Sequence, residues 1–215
     1  DGLDRTKQFT YEVNANTVFA YDPAGNMTSA TDPLNHADSL SYDARNRPLN
    51  FTNALNNSIG YLYDGVGNLT RVTDPLNRAA DFGYDPADRL TSITQPDPDG
   101  GGPLGTPVTS FVYDNADRLS SLTDPVNNLT SWTIDAAGRV VGETDPLGNS
   151  RAYVYNGAGE LTRVTDRNGR VREFVYDSDG RRTQEKWLDG GGAVIRTISY
   201  SYDLDAQLTG TSDPD

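Results

Sequence analysis

A phrase of 21 residues recurs along this chain, and no other feature limits what it can fold into so strongly. The phrase is clearest at 63–84. There Tyr63-Asp64-Gly65-Val66-Gly67-Asn68-Leu69 leads through Thr73-Asp74-Pro75 to Phe82-Gly83-Tyr84, where it begins again. Taking the tyrosine of each Tyr-Asp pair as position zero, starts fall at Tyr21, Tyr42, Tyr63, Tyr84, Tyr113, Ile134, Tyr155, Tyr176 and Tyr202. The spacing is 21 residues except at two places, where insertions make it 29 and 26. Self-similarity at a fixed period marks a repeat architecture, in which each unit buries surface only against its neighbours. Residues 1–215 therefore read as one array of about ten repeats. Asp1-Gly2-Leu3-Asp4-Arg5 fits a repeat lacking its tyrosine, and Ser212-Asp213-Pro214 stops within another, so both ends read as cuts through a longer array.

The columns have physical meaning. The residue two before position zero is aromatic in eight of nine repeats, Leu40 being the exception, and the two columns together hold 16 of the 20 aromatic residues. Residues i and i+2 of a strand share a face, which predicts an aromatic band along one side of a sheet. Aspartate follows the tyrosine at Asp22, Asp43, Asp64, Asp85, Asp114, Asp177 and Asp203, with Asn156 in its place after Tyr155. Four residues past the tyrosine lies Gly, Asn or Asp in nine of ten repeats, Ala206 being the exception. These residue types tolerate positive φ, so a tight turn is expected there. Arg follows at Arg5, Arg47, Arg89, Arg118, Arg139 and Arg181, four residues after the aspartate and within reach of it.

A leucine and a second apolar residue three later, as in Leu69 and Val72, sit between the turns. About five residues are too few for a stable helix, so a strand is expected, with Leu69 and Val72 on opposite faces. The second turn is Thr-Asp-Pro, where proline presets φ and aspartate accepts bonds from amides ahead. Each phrase is then strand, turn, strand, turn. The fold class is all-β: antiparallel hairpins in a continuous meandering sheet. At roughly 10 Å per repeat such a sheet would be on the order of 90 Å wide, and a twisted sheet of that width is expected to curl into a spiral shell, tube or barrel-like wall. The insertions, at 94–108 and 186–195, fall at the same turn of the phrase, and their Gly and Pro content predicts mobile loops on one rim.

Composition excludes several functions. The formal charge of −13 disfavours nucleic-acid backbone and anionic lipid as partners. The absence of Cys removes thiolate chemistry and zinc–thiolate sites. No run of 18 apolar residues points to membrane insertion, and no basic, apolar leader is visible in the stretch. Tyr-Asp pairs that keep step with a fold period belong to the fold, not to one active site, and no catalytic residue, metal ligand or cofactor is expected. Asp97-Pro98-Asp99-Gly100 and Asp177-Ser178-Asp179-Gly180 are fragments of a calcium-loop pattern without its third acid or its final glutamate. His36, the one histidine, sits in a turn with no activated serine marked beside it. Trp132 and Trp187 are the candidates for stacking on a sugar, against the simpler expectation of cross-strand packing.

Tyr-Asp-x-x-Gly-Arg-Leu followed by Thr-Asp-Pro-x-Gly at this spacing resembles the YD-repeat or Rhs-repeat family over nearly the whole chain. That family includes bacterial Rhs polymorphic toxins, wall-associated proteins, the B and C components of insecticidal toxin complexes and the teneurin ectodomain. The resemblance implies a strip of antiparallel sheet wound into a hollow shell around a toxic polypeptide, in a secreted or cell-surface protein. Its implied partners are protein cargo and neighbouring repeats of the same or another chain. The alternative is an extracellular glycan-binding or adhesion module, with Trp187 as contact, or one that assembles end to end. Relatives self-cleave at a signature whose nearest echo here, Asp145-Pro146-Leu147-Gly148-Asn149, occupies an ordinary repeat slot, so that role is not carried over.

Overall fold

The computed structural model describes residues 5–12 and 15–213. Among these every helix or strand is a strand, and the nineteen strands belong to one sheet. The chain divides into two compact units, residues 1–110 and 111–215. The first contains β1 (Gln8–Glu12), β2 (Ala15–Tyr21), β3 (Met27–Thr31), β4 (Ala37–Tyr42), β5 (Pro48–Thr52), β6 (Ser58–Tyr63), β7 (Leu69–Thr73), β8 (Ala79–Tyr84), β9 (Leu90–Thr94) and the start of β10 (Val108–Tyr113). Each pairs antiparallel with the strand before it. The second contains the end of β10, then β11 (Leu119–Thr123), β12 (Leu129–Ile134), β13 (Val140–Thr144), β14 (Ser150–Tyr155), β15 (Leu161–Thr165), β16 (Val171–Tyr176), β17 (Arg182–Leu188), β18 (Val194–Tyr202) and β19 (Leu208–Ser212). From β11 onward these too pair in sequence order, all antiparallel.

One turn design closes both ends of the hairpins. The Asp64 amide donates to the Asn68 carbonyl at 3.0 Å, as the Asp43 amide does to the Arg47 carbonyl at 2.9 Å. Asp64 Oδ1 then accepts the amides of Val66, Gly67 and Asn68 at 3.1, 2.7 and 2.8 Å. This is a short loop with a positive-φ residue at Gly67, and its aspartate satisfies the amides that the loop leaves free. Asp74, from the Thr-Asp-Pro column, does the same: its amide reaches the Arg78 carbonyl at 2.9 Å, and its Oδ1 takes the Leu76 and Arg78 amides at 2.8 and 2.9 Å.

Positive φ occurs throughout the expected column that lies within the described residues, from Gly25 to Gly180, while Asp4 lies outside them. Ala206 also adopts it, at 61°. Its surroundings impose the geometry on an unfavourable residue. Gly67→Val places a branched side chain at φ 126° and is expected to cost about 1–3 kcal/mol, read from the urea midpoint. Ala206→Gly relieves the same strain and is expected to raise thermal stability, by at most about 1 kcal/mol.

The strand faces differ from expectation in one respect. Tyr61 pairs with Val72, Leu62 with Arg71 and Tyr63 with Leu69, so Thr70 is an extra residue in β7. This bulge resets the alternation, and Leu69 and Val72 lie on the same face as Tyr61 and Tyr63, not on opposite faces. The bulged hydroxyl has its own partner: Thr162 and Thr183 donate to the carbonyls of Val154 and Val175 at 3.1 and 3.2 Å. Within the strands the aromatic columns lie two strands apart, with an aliphatic column between them, as β7 with Val72 separates Tyr61 on β6 from Phe82 on β8.

The sheet has no thick core. Val164 and Phe174 are the only apolar side chains that are buried among the described residues, while Leu62, Val112 and Val154 on the opposite face are about half exposed.

The two insertions behave differently. Residues 95–107 contain no strand and are closed by the Gln95 amide on the Pro107 carbonyl at 2.8 Å. The second insertion, expected as a loop over 186–195, is half strand and half turn. β17 runs to Leu188, β18 starts at Val194, and only 189–193 form a turn, with Asp189 Oδ1 accepting the Gly191 and Ala193 amides. Trp187 and Leu188 pair with Arg196 and Val194, so extra residues lengthened the hairpin and left its tip unchanged.

Candidate functional site

The recurrent chemistry lies along the Tyr-Asp rim. Arg118 Nε donates to Asp114 Oδ2 at 2.7 Å, and the same pairing joins Arg47 to Asp43, Arg89 to Asp85, Arg139 to Asp135 and Arg181 to Asp177. The Arg118 side chain and then its backbone amide hold the Asp114 carboxyl at about 2. In one repeat the partners change type: Asn156 Nδ2 donates to Glu160 Oε2 at 2.6 Å. The other rim uses the same pairing at Arg78 with Asp74 and Arg170 with Asp166, which their Thr-Asp-Pro and Thr-Asp-Arg contexts did not announce.

Beyond its own turn, the arginine reaches the next repeat. Arg139 lies 4.7 Å from the centre of the Tyr155 ring, Arg47 4.3 Å from Tyr63, and Arg181 5.3 Å from Tyr202. Arg118 Nη1 donates to the Asp135 carbonyl at 2.6 Å, and Arg181 Nη1 to that of Asp203 at 3.3 Å. The tyrosine hydroxyl points the other way. Tyr42, Tyr84, Tyr155, Tyr176 and Tyr202 donate to the carbonyls of Met27, Leu69, Val140, Leu161 and Arg182, each the first residue of the preceding repeat's second strand. Every such tyrosine therefore links two hairpins, by its hydroxyl and, where arginine precedes, by its ring. Tyr176→Phe removes the 2.8 Å bond to Leu161 and is expected to cost about 1 kcal/mol, checked by denaturant titration.

The Asp-Pro rim lacks this ladder. Among the described residues its links between neighbouring repeats include Arg167 with Asp145 and Glu143, the Ala54 amide with Asp38, and Arg196 with Asp213.

The remaining candidates have local roles. His36 Nδ1 lies 2.9 Å from Asp32 Oδ2 within one turn. Asp97 spends its oxygens on the Asp99 and Gly101 amides, and Asp99 on that of Leu104. Asp177 and Asp179 both pair with Arg181. No group of three metal-ligating side chains is present among the described residues. Trp132 faces Glu143 across the sheet. Trp187 is 38% exposed, donates from Nε1 to Glu185 at 2.9 Å and carries Arg196 5.3 Å from its ring centre. Glu185, the one charged residue buried among those described, also pairs with Arg172 and Arg182 at 3.4 Å. Beside Trp187 is a groove of about 320 Å³ lined by Asp166, Arg170, Val171, Arg172, Leu188 and Ile195.

What sequence reasoning missed is the contact between repeats. Its signal was present in the recurrence of Arg 16 residues before the next tyrosine.

These features define a hairpin-repeat protein whose tyrosines and arginines join each hairpin to the next. The RHS repeat family model matches residues 21–57, 42–79, 63–99, 135–164 and 155–186, together more than half of the chain, and the chain belongs to that family. No curated protein matches it. The crystal structure of TcdB2-TccC3-TEV is similar at 15% identity and a TM-score of 0.61, over 95% of this chain and 12% of that one. The crystal structure of TcdB2-TccC3-Cdc42 is similar at 15% identity and a TM-score of 0.50, over 93% of this chain and 14% of that one. At that identity the likeness is one of fold, and the chain spans only about an eighth of the solved chains it matches.

Proposed function

We propose that this chain is a non-catalytic stretch of wall in a hollow β-shell that encloses a polypeptide cargo, in a secreted or surface-displayed protein. Residues 1–215 act as one array in this reading, with the Tyr-Asp pairs as its joints. The observation that carries it is the ladder of tyrosine and arginine contacts, which spends the recurrent polar chemistry on holding hairpin to hairpin. Membership of the RHS repeat family and the scarcity of buried apolar side chains among the described residues support it. Small-angle scattering of the chain tests it. A curved single layer has a radius of gyration well above the roughly 17 Å of a compact globule of this length, and a value near 17 Å would overturn the wall.

Carbohydrate recognition is a second reading, favoured by one observation: Trp187 is exposed beside a groove that also contains Arg170 and Arg172. Glycan-array binding that disappears in Trp187→Ala would establish it, and an array without signal would remove it.

A further inference from the structure

Two kinds of contact join successive turns along the Tyr-Asp rim, and they differ in the residue five after one tyrosine and the residue four after the next. Where the first is long, the second is glycine. A β-carbon built on Gly25 would lie 3.4 Å from Arg5 Nη1, on Gly67 3.5 Å from Arg47 Nη1, and on Gly180 3.2 Å from Glu160 Oε1. A methyl would touch the end of the long side chain, and a larger group would have to displace it. Arg139 with Gly159 repeats the combination with Nη1 at 3.9 Å, and Arg118 with Gly138 repeats it in sequence, although a β-carbon on Gly138 would meet nothing within 4 Å. Where the first residue is asparagine, the second has a side-chain acceptor. Asn26 Nδ2 donates to Asn46 Oδ1 at 2.8 Å, and Asn68 Nδ2 to Asp88 Oδ1 at 2.9 Å. Asparagine stops short of the next turn, and the neighbour's amide or carboxylate closes the distance. In the two places where an insertion lengthens the spacing, Arg89 with Asp117 and Arg181 with Ala206, the types are not matched in this way.

We infer that at the regular 21-residue spacing these two positions form a recognition contact that biases which hairpin docks next to which: a long side chain fits a neighbour with glycine, and asparagine pairs with a neighbour's Asn or Asp. The partner this surface fits is another RHS hairpin of matching type. Over residues 26–88, where the two types alternate, the contact specifies the order and register of repeats, because a hairpin paired one repeat out of place would set arginine against an asparagine or aspartate side chain, or asparagine against bare glycine. Whether the wall encloses cargo or binds sugar does not enter the inference.

A double-substitution cycle at Asn26 and Asn46 tests it. Asn26→Arg alone drives a guanidinium into the Asn46 side chain, and Asn46→Gly alone removes the acceptor. Both should lower the urea midpoint and speed amide exchange in the 43–47 turn by about fivefold or more. The double variant Asn26→Arg/Asn46→Gly recreates the arginine–glycine combination beneath Tyr42 and should bring exchange back to within about twofold of the starting protein. Losses that simply add in the double variant would overturn the inference. If a single variant does not fold, recovery of the strand signal by circular dichroism in the double variant supports the pairing, and its failure there overturns it.

Discussion

Acid is expected to unfold this protein in a narrow window between about pH 4 and about pH 2. The Asp114 carboxyl is lowered from 3.8 to about 2, first by the Arg118 side chain and then by its amide. Asp74, Asp85 and Asp177 are lowered first by the arginine side chain four residues on, and Asp43, Asp64 and Asp135 first by a turn amide. A carboxyl whose folded pKa lies below its unfolded value contributes stability that is complete above the unfolded pKa and is lost as pH falls through the folded one. Because the same acceptor closes turn after turn, protonation removes many clamps over one short interval. The urea midpoint should be flat from about pH 5 to 7 and fall steeply below about pH 4. A midpoint unchanged down to about pH 2.5 would show that the turns close without their aspartates.

The second large effect belongs to Phe174. It is 8% exposed, stands opposite Glu185 in the register and has Arg182 5.4 Å from its ring centre. In a sheet with so little buried apolar surface the loss of this ring has few compensating contacts, and Phe174→Ala is expected to cost about 3–5 kcal/mol. Leu62, 54% exposed on the opposite face, should tolerate alanine within about 0.5 kcal/mol. Denaturant titration of both variants distinguishes the faces. Similar losses at the two positions would mean that the aromatic side is not the packed side.

Much of this architecture was legible in residue types. The turn columns are written in Gly, Asn and Asp because few other residues accept positive φ, and Tyr with its aromatic neighbour two residues earlier declares a shared strand face. The side on which Leu69 lies was not legible, because alternation counts residues and a bulge adds one without a mark in the sequence. Ala206 was unreadable for a related reason: its φ comes from the turn around it, against its own preference. Residues 186–195 misled because three glycines at the tip drew attention from the β-prone residues on either side. Trp187 was marked as an exposed aromatic, and its bond to a buried glutamate required the neighbouring strands to be in place. The tyrosine and arginine columns were each visible, but their meeting across hairpins depends on the twist and spacing of a real sheet.

The tip clamp has a bearing on how such a chain can vary. Each clamp is completed by five consecutive residues, from an aspartate or asparagine to the residue four later, so what lies beyond the tip does not affect its closure. The two margins of the sheet are then unequal hosts for foreign sequence. Along the tyrosine margin a longer tip would displace the rungs that tie neighbours together. Along the proline margin, where few ties run, chain can be let out, as it is at 95–107 and, by longer strands, at 186–195. A display peptide or a binding loop belongs on that margin, and successive tips there offer independent places for cutting and grafting.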